Sequence, residues 1–118
     1  MSDVTGEDRA REFALVMENG AAALKREIDY DPTRWLQMVG RHGAVDAATR
    51  LLASGSDASA GLSTLALAGR LDQSVEWFVL VYDDLFTDEE RRIAHRRLRL
   101  YEAPVDQWLR ERLGRRHP

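Results

Sequence analysis

The sequence predicts an all-α protein: a compact single-domain bundle of six or seven mostly short helices with a long amphipathic N-terminal helix. Three observations predict it. Apolar residues recur at steps of three and four along most of the chain, helix start and stop residues punctuate those stretches, and no stretch alternates apolar with polar in the manner of a half-buried strand. With 118 residues, 44% hydrophobic content and three prolines, the chain has the material for one core. Residues 1–118 are therefore read as one domain, frayed at 1–6 and 115–118.

The first helix runs from Glu7 to about Ile28. Ala10, Ala14, Met17, Ala21, Leu24 and Ile28 fall at alternating steps of four and three, and Phe13 widens the stripe. Gly20 costs about 1 kcal/mol against alanine and marks where a break would fall. The stripe suits packing onto the protein's own core or a seam between two chains, so a homodimer through the N-terminal helix stays open.

The second helix starts in "YDPTRW", with Asp31 as N-cap and Pro32 at the first helical position, where a missing N–H is harmless. Trp35, Leu36, Met38 and Val39 supply its apolar face, and Gly40 and Gly43 close it. "GAVDAATRLLASG" forms a third, with Val45, Ala48, Leu51 and Leu52 inward, followed by a loop, SGSDASAG. A short fourth helix, LSTLALA, ends at Gly69. Asp72 caps a fifth, whose Val75, Trp77, Phe78, Val79 and Leu80 are apolar on more than one side, the mark of the most enclosed helix. Glu76 lies where the helix dipole still favours an anion.

Asp83 and Asp84 mark the next turn. "TDEE" has the Thr-x-x-Glu spacing of a capping box, Thr87 with Glu90, and opens a sixth helix to about Tyr101, with Phe86 buried just before it. Pro104 starts the last helix, docked by Trp108, Leu109 and Leu113 up to Gly114. The expected core includes Trp35, Leu36, Leu52, Leu65, Trp77, Phe78, Leu80, Phe86 and Leu98.

Composition narrows function by exclusion. No cysteine means no disulfide framework, thiolate metal site or thiol nucleophile. No apolar run approaches about 18 residues, and the opening MSDVTGEDRARE lacks the basic and apolar regions of a signal peptide, so no membrane role and a cytoplasmic location are expected. Of the seventeen basic residues only Lys25 is lysine, compatible with a GC-rich bacterial genome. Charge is unevenly spread: residues 1–90 carry 8 basic and 17 acidic residues, net −9, and residues 91–118 carry 9 and 3, net +6. A basic end on an acidic body speaks to partners through steering.

Candidate sites follow from these patterns. Acid–base chemistry needs two converging carboxylates, and the candidates are Asp72 with Glu76 or Asp83 with Asp84; capping and a solvated turn explain them better. His42, His95 and His117 lack metal-ligand spacing, though His42 lies one turn from Asp46. No glycine-rich phosphate loop occurs. Arg70 at a helix start either clamps an anion or bridges to Glu76 or Asp72, and the local acids favour the bridge. No catalytic residue, metal or cofactor is therefore assigned.

The basic sixth helix is the strongest binding signal. In "RRIAHRRLRLY", Ile93, Ala94, Leu98 and Tyr101 make the inward face, leaving Arg92, Arg96 and Arg99 on an outward stripe with His95 beside it and Arg91 at its edge. Arg97 lies nearer the core. Such a stripe meets successive phosphates, an acidic partner, or the protein's own acidic body. "WLQMVGRHGAVDAATRLL" superficially resembles a helix-turn-helix, but its second helix offers Asp46, Thr49 and Arg50, an aspartate where phosphate would lie.

The segments "YDPTRWLQMV", "GAVDAATRLLAS", "GLSTLALAGRLDQSVEWFVL" and "LFTDEERRIAHRRL", in this order, resemble a family of small uncharacterised bacterial all-helical proteins. That family's pattern runs Tyr-x-Pro/Ala-x-Arg-Phe, a glycine-led helix, Gly-Phe-x-x-Leu, Gly-Arg-Leu-Asp-Leu-Thr-Val-Glu and Leu-Phe-Thr-x-x-Glu. The likeness spans about residues 26–101 and is most specific at Gly69-Arg70-Leu71-Asp72, Val75-Glu76 and Leu85-Phe86-Thr87. The chain departs from it at Leu62, Gln73, Ser74 and the arginine-rich sixth helix. The resemblance implies a shared all-helical fold and no catalytic or binding residue. The expectation is a non-enzymatic protein-interaction module (adaptor, accessory or regulatory subunit) with nucleic-acid binding through the helix around residues 88–101 as the alternative.

Overall fold

The computed structural model describes residues 6–28, 31–53 and 56–116, with side chains at 6–28, 31–53 and 62–112. Seven α-helices follow one another among the described residues: α1 (Gly6–Ile28), α2 (Thr33–His42), α3 (Ala44–Ala53), α4 (Ser56–Leu67), α5 (Val75–Val81), α6 (Asp88–Leu100) and α7 (Val105–Arg116). Two 3-10 turns, Leu71–Gln73 and Asp83–Leu85, flank α5. The described residues include no strand.

The long N-terminal helix is unbroken at Gly20. Its stripe of Phe13, Met17, Ala21 and Leu24 is buried against α3, α5 and the Asp83–Leu85 turn, so this face packs onto the protein's own core. α1 runs antiparallel to the segment from residue 70 to 84: Arg9 bonds Asp84, Glu12 meets Tyr82, Gly20 faces Gln73 and Glu27 meets Arg70.

Helix ends follow their local chemistry. The Asp31 carboxylate accepts the Thr33 N–H at 3.0 Å while the Pro32 carbonyl accepts that of Leu36 at 2.9 Å, so Pro32, and not Asp31 as expected, is the cap residue, and α2 starts just after the proline. The hydrogen bonds from the Thr33 hydroxyl and N–H hold the Asp31 carboxyl below its ordinary value. Gly43, at φ +81°, ends α2, and its carbonyl accepts the first bond of α3 from Ala47. Gly69, at φ +69°, closes α4 in a Schellman arrangement: its own N–H bonds the Ala66 carbonyl and the next N–H, of Arg70, reaches back to Leu65. α6 ends the same way, with Glu102 at φ +62° where a glycine is usual.

Several expectations are corrected. α4 starts at Ser56, not in the sixties, so most of the expected SGSDASAG loop is helical backbone; its residues 54–55 lie outside the description. The alanines at 58 and 60 supply helix propensity that offsets the glycine at 61. Asp72 lies in a 3-10 turn and does not cap α5; Ser74 does, its hydroxyl accepting the Trp77 N–H at 3.0 Å and donating to the Leu71 carbonyl at 2.7 Å. α7 runs through Gly114 to Arg116, and Gly6 already belongs to α1. Residues 1–5 and 117–118, Tyr30 and the Leu113 side chain lie outside the description.

The core centres on Phe13, Val79 and Leu98, wholly enclosed with Ala47, Ala48 and Ala94. Phe13 meets the rings of Tyr82 and Phe86 edge-on, with centroids 5.6 and 5.5 Å apart, and Trp77 meets Trp108 edge-on at 5.3 Å. α5 is the central element, packed against α6, α3 and α1. Trp35, Leu52, Leu65, Trp77, Phe86 and Leu98 are buried as expected; Phe78 and Leu80 are half-buried. Leu36 is 41% exposed instead of buried, because the inward line of α2 passes through Trp35, Met38 and Val39.

Candidate interaction surface

The ionisable groups sort into those used to hold the helices together and those left facing outward. Glu76 is buried in the first turn of α5, and its carboxylate lies 3.4 Å from the Arg97 guanidinium of α6. Arg97 also donates to the carbonyls of Leu51, at 3.2 Å, and Leu52, at 2.8 Å. These carbonyls end α3, where a cation is favoured by the dipole. One guanidinium thus ties three helices. Burial pushes the Glu76 carboxyl up, opposed by its own backbone N–H and by Arg97.

A second polar cluster binds the start of α1 to the far end of α5. Arg9 donates to Asp84 at 2.8 Å and lies 4.5 Å over the Tyr82 ring, while the Tyr82 hydroxyl donates to Glu12 at 2.7 Å. Burial and that hydrogen bond to a carboxylate push the Tyr82 phenol up to about 12. It is therefore neutral at pH 7.

The carboxylate pairs raised by the sequence are not brought together. Asp72 is exposed on its turn while Glu76 is enclosed and bonded to Arg97. Asp84 is held by Arg9, and Asp83 offers its backbone carbonyl to Arg91. Arg70 does form a bridge, but to Glu27 of α1 at 2.7 Å instead of to Glu76 or Asp72. Burial of Glu76 against Arg97 and the approach of α1 decide that partner. His42 is 3.8 Å from Asp46, which also receives Arg50 at 3.1 Å, so the arginine of the helix-turn-helix-like segment is turned to its own helix. Among the described residues no group of three or more histidines and carboxylates converges to hold a metal, and no helix is long and apolar enough to cross a membrane.

What faces outward is the arginine line of α6. The Arg92 and Arg99 side chains are 71% and 60% exposed; Arg96 is exposed and has no ion-pair partner among the described residues. Arg92 pairs with Glu89 at 3.1 Å, and Asp106 at the start of α7 receives His95 at 3.1 Å and Arg99 at 3.7 Å. The His95 hydrogen bond, with Arg99 and Arg110 nearby, holds the Asp106 carboxyl below its ordinary value. Leu100, at the end of this face, is 74% exposed.

Arg91 does not share the face. It curls back to bond the carbonyls of Asp83 and Phe86 and the Asp88 carboxylate, closing the turn before α6. Sequence reasoning passed over Asp106 and Leu100: the first comes from the next helix, and the second reads as one more apolar residue in an amphipathic stretch. No family model, curated protein or solved structure matches the chain.

Proposed function

We propose that this chain is a cytoplasmic protein-interaction module, an adaptor, accessory or regulatory subunit without catalytic role or cofactor, whose docking face is the outer side of α6. Membership of the small bacterial all-helical family resembled at Gly69-Arg70-Leu71-Asp72 and Leu85-Phe86-Thr87 is part of the same proposal.

The observation that carries it is Leu100, exposed beside Arg96 and Arg99. An uncovered leucine next to arginines suits a protein surface that brings carboxylates around an apolar residue. It gives nothing to a phosphate backbone. Glu89 and Asp106 lie among the arginines, so a phosphate chain laid along α6 meets two carboxylates as well as Arg92, Arg96 and Arg99. Nucleic acid remains the competing reading because those three arginines share one exposed line.

The test has two arms. Labelled duplex and single-stranded DNA and RNA are titrated at low and physiological salt against wild type and a variant with Arg92, Arg96 and Arg99 all changed to glutamine. In parallel, crosslinked partners are compared between wild type, Leu100→Ser and Leu67→Ser, the last an exposed leucine at the end of α4. The reading expects no nucleic-acid binding and a partner lost only with the α6 changes. Salt-dependent nucleic-acid binding lost in the triple variant overturns it.

A further inference from the structure

We propose that the acidic surface received by α6 belongs to a second copy of this chain: the outer line of its α1, Asp8–Glu12–Leu15, docks along Arg92–Arg96–Arg99 with Leu15 against Leu100. This rests on the reading of α6 as a docking face and names its partner.

Both halves of the contact are in the structure. The midline of α1 opposite its buried stripe passes through Asp8, Glu12 and Leu15, all exposed, at steps of four and three. The two carboxylates also hold partners of their own chain, Arg11 at 3.6 Å for Asp8 and the Tyr82 hydroxyl at 2.7 Å for Glu12, yet their side chains remain 53% and 56% exposed. The midline of α6 passes through Arg92, Arg96 and Arg99 at the same steps, all exposed. Each line spans about 10 Å, so charges and gaps stay in register along the contact. Leu15 is 55% exposed and Leu100 74%, and each sits at the C-terminal end of its charged line.

Those leucines select the direction. Laid parallel, the helices place Leu15 by Leu100, Glu12 by Arg96 and Asp8 by Arg92. Laid antiparallel, they place Leu15 on Arg92 and leave Leu100 uncovered. Arg96 is the focus of the contact, since it has no ion-pair partner among the described residues. Arg92 and Arg99 each share an exposed carboxylate of their own chain. The wider charge distribution points the same way. Residues 1–90 carry net −9 and residues 91–118 net +6, so meetings of unlike parts are favoured over like with like. Contacts built on exposed pairs are weak and salt-sensitive.

Sedimentation equilibrium over a wide concentration range, at low and high salt, tests the proposal with the wild type, Arg96→Glu and Asp8→Arg. Asp8→Asn, which removes the charge on the same line and keeps a residue suited to a helix start, replaces Asp8→Arg if far-ultraviolet circular dichroism shows lost helix. The wild type is expected to self-associate at low salt and dissociate at high salt. Each reversal weakens association roughly 5-fold or more, and an equimolar mixture of the two variants recovers it, because the unaltered α1 of the Arg96→Glu chain then meets the unaltered α6 of the Asp8→Arg chain. Monomer at every concentration, association indifferent to Arg96→Glu, or no recovery on mixing overturns the proposal. Those results leave the α6 docking face to its own test, which fails instead through nucleic-acid binding.

Discussion

Arg97 and Glu76 lie 3.4 Å apart with side chains only 15% and 4% exposed, and the same guanidinium holds the last carbonyls of α3. Buried charges in this arrangement are expensive to separate, because removing one partner leaves the other desolvated and unpaired. Arg97→Met is expected to destabilise the fold by about 3–5 kcal/mol at neutral pH. Arg97→Met with Glu76→Leu should recover most of that loss, since neither charge is then buried. Urea denaturation of the two variants measures both. A double variant as unstable as the single would mean that the bonds to Leu51 and Leu52, and not the ion pair, carry the cost.

The same carboxyl gives an unusual pH dependence. Its native pKa is raised by burial above the unfolded value, so in the interval between the two the native state holds the proton more tightly. This group's contribution to stability therefore rises as pH falls through that interval. Wild type is expected to gain on Glu76→Gln between neutral pH and about 5, because Asp31 and Asp106, whose depressed pKa values act oppositely, titrate in both proteins. Denaturation midpoints at a series of pH values check it. A gap moving towards the variant on acidification contradicts the assignment.

Which residue caps α5 is directly measurable. Ser74 is buried and its hydroxyl accepts the Trp77 N–H, whereas Asp72, two residues earlier, is exposed. Ser74→Ala is expected to cost about 1–2 kcal/mol, with Asp72→Ala within about 0.5 kcal/mol of wild type. Thr87→Ala, which breaks the capping box with Glu90, should cost about 1 kcal/mol. Thermal unfolding ranks the three.

Two opposite glycine exchanges should both stabilise. A Cβ at Gly20 would meet the Gln73 side chain at 3.6 Å, an ordinary contact, so Gly20→Ala gains helix propensity without a clash. Glu102 stands at φ +62°, where a side chain is strained, so Glu102→Gly relieves the end of α6. Each is expected to add about 0.5–1 kcal/mol, read as a rise in unfolding temperature. A fall for Gly20→Ala would show that α1 and the turn at Gln73 pack more closely than this distance.

Helix positions were legible in the sequence wherever the signal is local. The 3/4 repeat of α1, the glycine ends at 43 and 69 and the Thr87–Glu90 box each depend on residues within about four positions, and each stands where it was expected, while α2 starts one residue later than its aspartate–proline signal placed it. Local reasoning failed where two local solutions compete. Asp72 and Ser74 are both good caps, and the 3-10 turn between α4 and α5 chooses the second. Leu36 and Leu100 look alike in sequence to buried leucines, yet each lies off the inward line of its helix and stays uncovered.

Charge pairing between distant parts of the chain lay beyond any such reading. Arg9 finds Asp84 across 75 positions, Arg97 finds the Leu51 carbonyl across 46, and Arg70 passes over nearby acids for Glu27. The order of residues decides where a helix can begin, end and turn its apolar side, because those preferences act through the backbone over a single turn. The packing of α1, α3 and α6 around α5 decides which charges are enclosed and matched and which stay in water. Burial and electrostatic attraction act through space, and they settle only when the helices have met.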